Sequence, residues 1–155
     1  AGRAELAGEV LLQTHHPEHP LLQTLIHGGY HAFTETELAQ REAAGFPPYA
    51  HLALLRAEAQ HADAPMQFLH AAKAALQPFT ASRPRDAAHG GLVLEGPVPA
   101  PMPRRAGMHR AQLLLTAPRR RDLHAALDAA LPAIHALPEA RKTRWSLDLD
   151  PVDLY

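Results

Sequence analysis

His51-Leu52-Ala53-Leu54-Leu55-Arg56-Ala57-Glu58-Ala59, then a short polar break, then Asp63-Ala64-Pro65-Met66-Gln67-Phe68-Leu69-His70-Ala71-Ala72-Lys73-Ala74-Ala75-Leu76, is the stretch that decides the fold. The first nine residues read as a β-strand. Asp63 stands where a helix N-cap belongs, and Pro65 falls in the first turn, where its missing N–H costs nothing. Met66, Leu69, the stem of Lys73 and Leu76, with Phe68, Ala72 and Ala75 beside them, recur at the helical period and predict an amphipathic helix. A strand is thus followed directly by a helix that has one apolar stripe to bury.

Downstream the alternation continues. Leu92, Val93 and Leu94 predict a strand, and Gly96 to Gly107, with proline at 97, 99, 101 and 103, reads as a proline-rich loop. Arg110 to Thr116 predicts a further strand around Leu113, Leu114 and Leu115. Arg119 to Leu137 predicts a helix with Leu123, Leu127, Ala130 or Leu131, and Ile134 as its core stripe and a kink at Pro132. Trp145, Leu147 and Leu149 alternate with Ser146, Asp148 and Asp150, the period of a strand with one wet face. From residue 49 to 155 the order is therefore βαββαβ, a ferredoxin-like α+β arrangement with both helices on one face of a four-stranded sheet.

Upstream, Val10, Leu11 and Leu12 read as a short buried strand, and His15 to Pro20 as a loop. Leu21, Leu22, Leu25 and Ile26 predict a helix that stops at Gly28-Gly29, and His31 to Ala44 predicts a second that stops at Gly45. Phe46-Pro47-Pro48-Tyr49 is a stiff extended joint. The expected organisation is residues 1–30, a helical joint at 31–48, and a domain at 49–155. The chain opens on Ala1-Gly2-Arg3-Ala4 with neither an initiator Met nor a leader, and so reads as the later part of a longer protein.

The 155 residues are 46% hydrophobic, and the absence of Cys removes disulfides, thiolate metal sites and Cys nucleophiles. No apolar run approaches the ~20 residues of a membrane span, so a bacterial-type cytoplasmic protein is the default expectation. The net charge of −1 hides an asymmetry: residues 1–80 carry four basic and eight acidic side chains, residues 81–155 eleven and eight. From Pro97 to Arg121 there are six arginines, 104, 105, 110, 119, 120 and 121, and no carboxylate. Such a cluster points to an anionic partner, or else to a solvated face with counter-ions.

Other constellations carry less. His15, His16 and His19 have metal-ligand spacing, but Pro17 and Pro20 break the helix that would align them and no Cys completes a tetrahedron, so no metal site is expected. Asp148 and Asp150 are expected to face solvent and to protect a sheet edge. Trp145 and Phe68 sit in periodic apolar stripes and are expected in the core.

Several islands fall in order along the whole chain: Gly2-Arg3-Ala4, Gly8-Glu9-Val10, Gln13-Thr14-His15-His16-Pro17-Glu18-His19-Pro20-Leu21-Leu22, Tyr30, Ala32-Phe33, Pro47-Pro48, Gly96-Pro97-Val98-Pro99-Ala100, Arg141-Lys142, Trp145 and Asp148-Leu149-Asp150-Pro151. Together they resemble the C-terminal end of the primosomal protein N′ (PriA) family of replication-restart DNA helicases. The resemblance implies an ATP-driven 3′-to-5′ helicase that acts at stalled forks, starts primosome assembly and works among the other primosome proteins in the bacterial cytoplasm, at the nucleoid.

It also implies that residues 1–30 end the second motor lobe. Gly2 and Arg3 then match the last pair of helicase motif VI, with Arg3 as the catalytic arginine finger at the γ-phosphoryl group of ATP. ATP, magnesium and zinc belong to the full-length protein on this reading. This segment has neither a G-x-x-x-x-G-K-[ST] motif nor cysteine pairs and is expected to take no cofactor and to be inactive alone. Arg104, Arg105 and Arg110 become candidates for contact with the backbone of fork or single-stranded DNA. Arg119, Arg120, Arg121 and His124, at a predicted helix start, become candidates for the acidic tail of single-stranded DNA-binding protein, with Arg120 as the anchor. The alternatives are a stand-alone ferredoxin-like nucleic-acid-binding module and a structural brace for the motor.

Overall fold

The computed structural model describes residues 2–3, 6–7, 9–80 and 91–152, with side chains from residue 9 onward. The chain divides into two compact units, Ala1–Ala43 and Ala44–Tyr155.

In the first unit β1 (Gly2–Arg3) pairs antiparallel with β2 (Leu6–Ala7). Helix α1 spans Pro20–Ala44 and is interrupted at Gly29, whose backbone (φ 73°, ψ −177°) only glycine adopts without strain. The two predicted helices thus run on through a break with no connecting segment. The strand predicted at Val10–Leu12 does not form: residues 9–14 have no regular structure, and the three side chains are 53–87% exposed. A strand needs a neighbour to take up its N–H and C=O groups, and these residues have none among the described residues of the unit. The loop that follows is ordered by local bonds. The His16 and Leu21 N–H groups donate to Thr14 Oγ1 and His19 Nδ1, and Gln23 Nε2 donates to the Pro17 carbonyl at 2.7 Å. His19 is therefore the N-cap of α1.

The second unit follows the predicted order closely. β3 (His51–Ala59) is continued by α2 (Ala64–Leu76), β4 (Val93–Arg105), β5 (Met108–Ala117), α3 (Arg120–Ala136) and β6 (Arg144–Leu149). The sheet order is β4-β5-β3-β6 and every pairing is antiparallel, which is the ferredoxin-like arrangement. In β3 the odd-numbered Ala53, Leu55 and Ala57 join Phe68, Leu69, Ala72 and Leu76 of α2, Leu113 and Leu115 of β5, and Leu123, Leu127 and Ile134 of α3 in one core. Trp145 packs against that core with its ring 5.5 Å from Phe68 and 4.7 Å from His135. Asp63 holds the N-cap position of α2, although its side chain makes no capping bond, and α3 continues four residues past Pro132.

The expected proline-rich loop from Gly96 to Gly107 is replaced by structure. β4 runs as a strand through Pro97, Pro99, Pro101 and Pro103 to Arg105, with register shifts between Glu95 and Val98 and between Pro99 and Arg104. The physical reason is position. β4 is an edge strand broken by two register shifts, and edges and bulges are the places in a sheet where an imide forfeits no ladder bond; Pro97 and Pro99 stand either side of Val98 in its pairing with Gln112, and Pro101 and Pro103 lie in the second shift. Lys73 Nζ reaches across from α2 to donate to the Gly96 carbonyl beside the first shift.

Candidate nucleic-acid interface

β4 and β5 meet in a hairpin whose two-residue loop, Ala106 (φ 50°) and Gly107 (φ 80°), has both residues in the left-handed region. That is the pattern of a type I′ turn, whose twist matches that of the flanking strands. Arg104 lies opposite His109 and Arg105 opposite Met108, so both arginines are strand residues beside the turn and not loop residues. Successive strand residues alternate faces, so Arg104 and Arg105 point to opposite sides of the hairpin. Both are exposed, and among the described residues neither is in an ion pair. Arg110, three residues beyond the turn and on the same face as Arg105, is half-buried and donates from Nη1 to the Met102 carbonyl at 3.5 Å. The structure therefore brings Arg105 and Arg110 to one face and leaves Arg104 on the other.

The second predicted cluster is bound up internally. Arg119 is the extended residue before α3, and its Nε donates to Asp122 Oδ2 at 2.6 Å. Arg121 approaches the other oxygen of Asp122 at 3.7 Å. Arg120 pairs with Asp150, which follows β6 with a positive φ of 49° and donates its N–H to the Leu52 carbonyl at 2.9 Å. His124, one turn on, is exposed. Asp148 likewise is a partner and not a bare edge charge: its Oδ2 accepts from Arg56 Nη1 at 2.8 Å. Sequence reasoning missed both carboxylate roles, because each partner is thirty residues or more away along the chain.

Gly2 and Arg3 are paired in β1, and the Arg3 side chain lies outside the described residues. His15, His16 and His19 are exposed around a shallow depression. Among the described residues no group of three His, Asp or Glu side chains is placed to hold a metal ion, and no helix is long and apolar enough to cross a membrane.

Comparison with known proteins adds a family. Residues 42–152 match the family described as the primosomal protein N C-terminal domain. The chain is 42% identical over 154 residues to replication restart protein PriA of Haemophilus influenzae, covering 99% of this chain and 20% of that protein. It is 35% identical over 121 residues to the PriA of Synechocystis and 36% identical over 118 to that of Treponema pallidum, each match covering 76% of this chain and, respectively, 13% and 17% of the relative. The chain thus spans about a fifth or less of the length of these relatives. With a family match over more than half its residues, and that match lying on the β3-to-β6 unit, the chain belongs to the PriA family and carries its C-terminal domain.

Proposed function

We propose that this segment serves replication restart as the part of a fork-acting helicase that grips the DNA backbone, with the β4–β5 hairpin as its contact. The observation that carries this reading is the contrast between the two arginine clusters. Arg119, Arg120 and Arg121 are all engaged by carboxylates of the same domain, whereas Arg104 and Arg105 flank a tight turn with their charge unspent among the described residues. A guanidinium held on a stiff hairpin loses little freedom on meeting a phosphate, so the contact costs little ordering entropy.

The test is a variant carrying Arg104→Glu, Arg105→Glu and Arg110→Glu, titrated against a forked and a single-stranded oligonucleotide at several salt concentrations. Every phosphate that the variant no longer neutralises should flatten the salt dependence on a single strand by about 0.7. Unchanged affinity and slope would leave the brace reading.

The family likeness also supports a role for the start of α3 in holding the acidic tail of single-stranded DNA-binding protein. Arg120 remains 63% exposed at its side chain while paired, so a tail carboxylate has access to it in competition with Asp150. Calorimetry with the tail peptide on Arg120→Glu tests this, and undiminished binding excludes it. The rest of the whole-protein reading follows from the likeness alone: ATP hydrolysis with Arg3 as the finger residue, magnesium and zinc in other segments, and work in the bacterial cytoplasm among primosome proteins.

A further inference from the structure

The sheet face turned away from α2 and α3 carries a cleft of about 210 Å³, and arginines from three strands line it. Arg56 of β3, Arg110 of β5 and Arg144 of β6 meet there around Glu58, with Gln112 and Ser146 beside them. The register makes the arrangement unambiguous: Glu58 lies directly opposite Arg110 on one side and Arg144 on the other. Arg144 approaches Glu58 at 3.4 Å while 83% exposed, and Arg56 is held over the sheet by Asp148. Three guanidinium groups thus face two carboxylates, and Arg105 of the hairpin continues the same face.

We infer that this cleft is a second phosphodiester site, through which a single DNA strand leaving the hairpin crosses the sheet from Arg105 past Arg110 to Arg144. The inference rests on the hairpin reading above and extends it by naming the strand's path. Several observations converge on a single-stranded backbone as the occupant. Arg110 and Arg144 stand two strand spacings apart along that path, about 10 Å, a step that an extended single-stranded backbone can span between phosphates. The lining supplies planar bidentate donors and hydroxyl and amide groups. Its only aromatic residue, Trp145, has its ring committed to Phe68 and His135, so bases are not read there. The exposed Arg144–Glu58 pair is weakly held, so a phosphate can take Arg144 over at little cost.

Two substitutions in the cleft should act in opposite directions. On the full 155-residue chain with a labelled thymidine oligonucleotide, Arg144→Ala should weaken binding and lower the salt slope by about 0.7. Glu58→Gln should tighten binding about two- to fivefold, because it removes the carboxylate that competes for Arg144 and sits opposite Arg110. Arg141→Ala, which removes an equal charge outside the cleft, should leave affinity within twofold. A blunt duplex should not respond to Arg144→Ala.

If Arg144→Ala and Glu58→Gln leave single-strand binding unchanged while Arg104→Ala/Arg105→Ala weakens it, the cleft is not on the path and the hairpin reading stands. An equal loss on duplex, or from Arg141→Ala, means undirected charge attraction and overturns the cleft. If Arg104→Ala/Arg105→Ala has no effect, the hairpin reading falls, and with it the path.

Discussion

At the scale of single residues, Ala106 holds a conformation that its side chain resists. Its φ of 50° places a Cβ in the left-handed region, where a residue other than glycine, asparagine or aspartate is strained by about 1–2 kcal/mol. The hairpin keeps it because the two-residue loop requires positive φ at both positions and Gly107 supplies only one. Asn-Gly is the favoured pair for this turn, so Ala106→Asn should raise the stability of the domain by about 1 kcal/mol, read as a higher urea midpoint with an unchanged slope. Arg104 and Arg105 keep their places in that variant, so single-strand affinity should hold or improve slightly. A lower midpoint would mean that the turn is not the I′ type its φ values indicate. His19 is the opposite case, a residue whose ring nitrogen serves the chain itself by accepting from the Leu21 N–H at 3.3 Å. Histidines at metal-like spacing that cap a helix look the same in sequence as histidines that bind metal.

Among the elements, β4 was the least legible and β3 the most. His51–Ala59 is mostly apolar and follows the Pro47-Pro48 break, and its bounds agree between sequence and structure. β4 carries four prolines at alternate positions, and proline in a central strand would forfeit ladder bonds, so a loop was the natural reading. Only the sheet order makes those prolines admissible, and sheet order is a long-range property. The α3 cluster shows the same limit. Arg119 to Arg121 are visible as a run, but Asp150 reaches Arg120 because the end of β6 comes back to the start of α3. The cleft arginines are harder still: Arg56 lies inside a mostly apolar strand and Arg144, 88 residues further on, closes the basic run that starts at Arg141, so nothing local links them. The available signal was Arg56 and Glu58 at alternate positions of β3, which marks a polar end to the second face of that strand. The prolines also carry a prediction. Pro99, next to the Val98 that pairs with Gln112, denies the outer edge of β4 an N–H donor, so Pro99→Thr should restore it and promote edge-to-edge association. Sedimentation velocity at rising concentration should then show more self-association than in the parent chain; an unchanged variant would mean that the exposed arginines alone guard the edge.

On the scale of the whole molecule, the core and the unit boundary make a joint claim about what folds. Every side chain in the central cluster, from Ala53 to Ile134, belongs to Ala44–Tyr155, while α1 contains no fully buried residue. About a hundred residues with one contiguous core are enough for cooperative folding. Residues 44–155 alone should therefore unfold in a single urea transition with near-native helical and sheet circular dichroism, and their midpoint should match the main transition of the full chain. Phe68 sits at the centre of that core, fully buried and stacked on Trp145. Truncating a buried Phe leaves a cavity and costs about 3–5 kcal/mol. A domain of this size holds only about 5–15 kcal/mol in all. Phe68→Ala should accordingly remove much of the stability of the isolated domain, and should cost the same within error in the full chain if the first unit lends the core nothing. A smaller loss in the full chain would show that residues 1–43 do stabilise the core, and the two units would then have to be treated as one cooperative body.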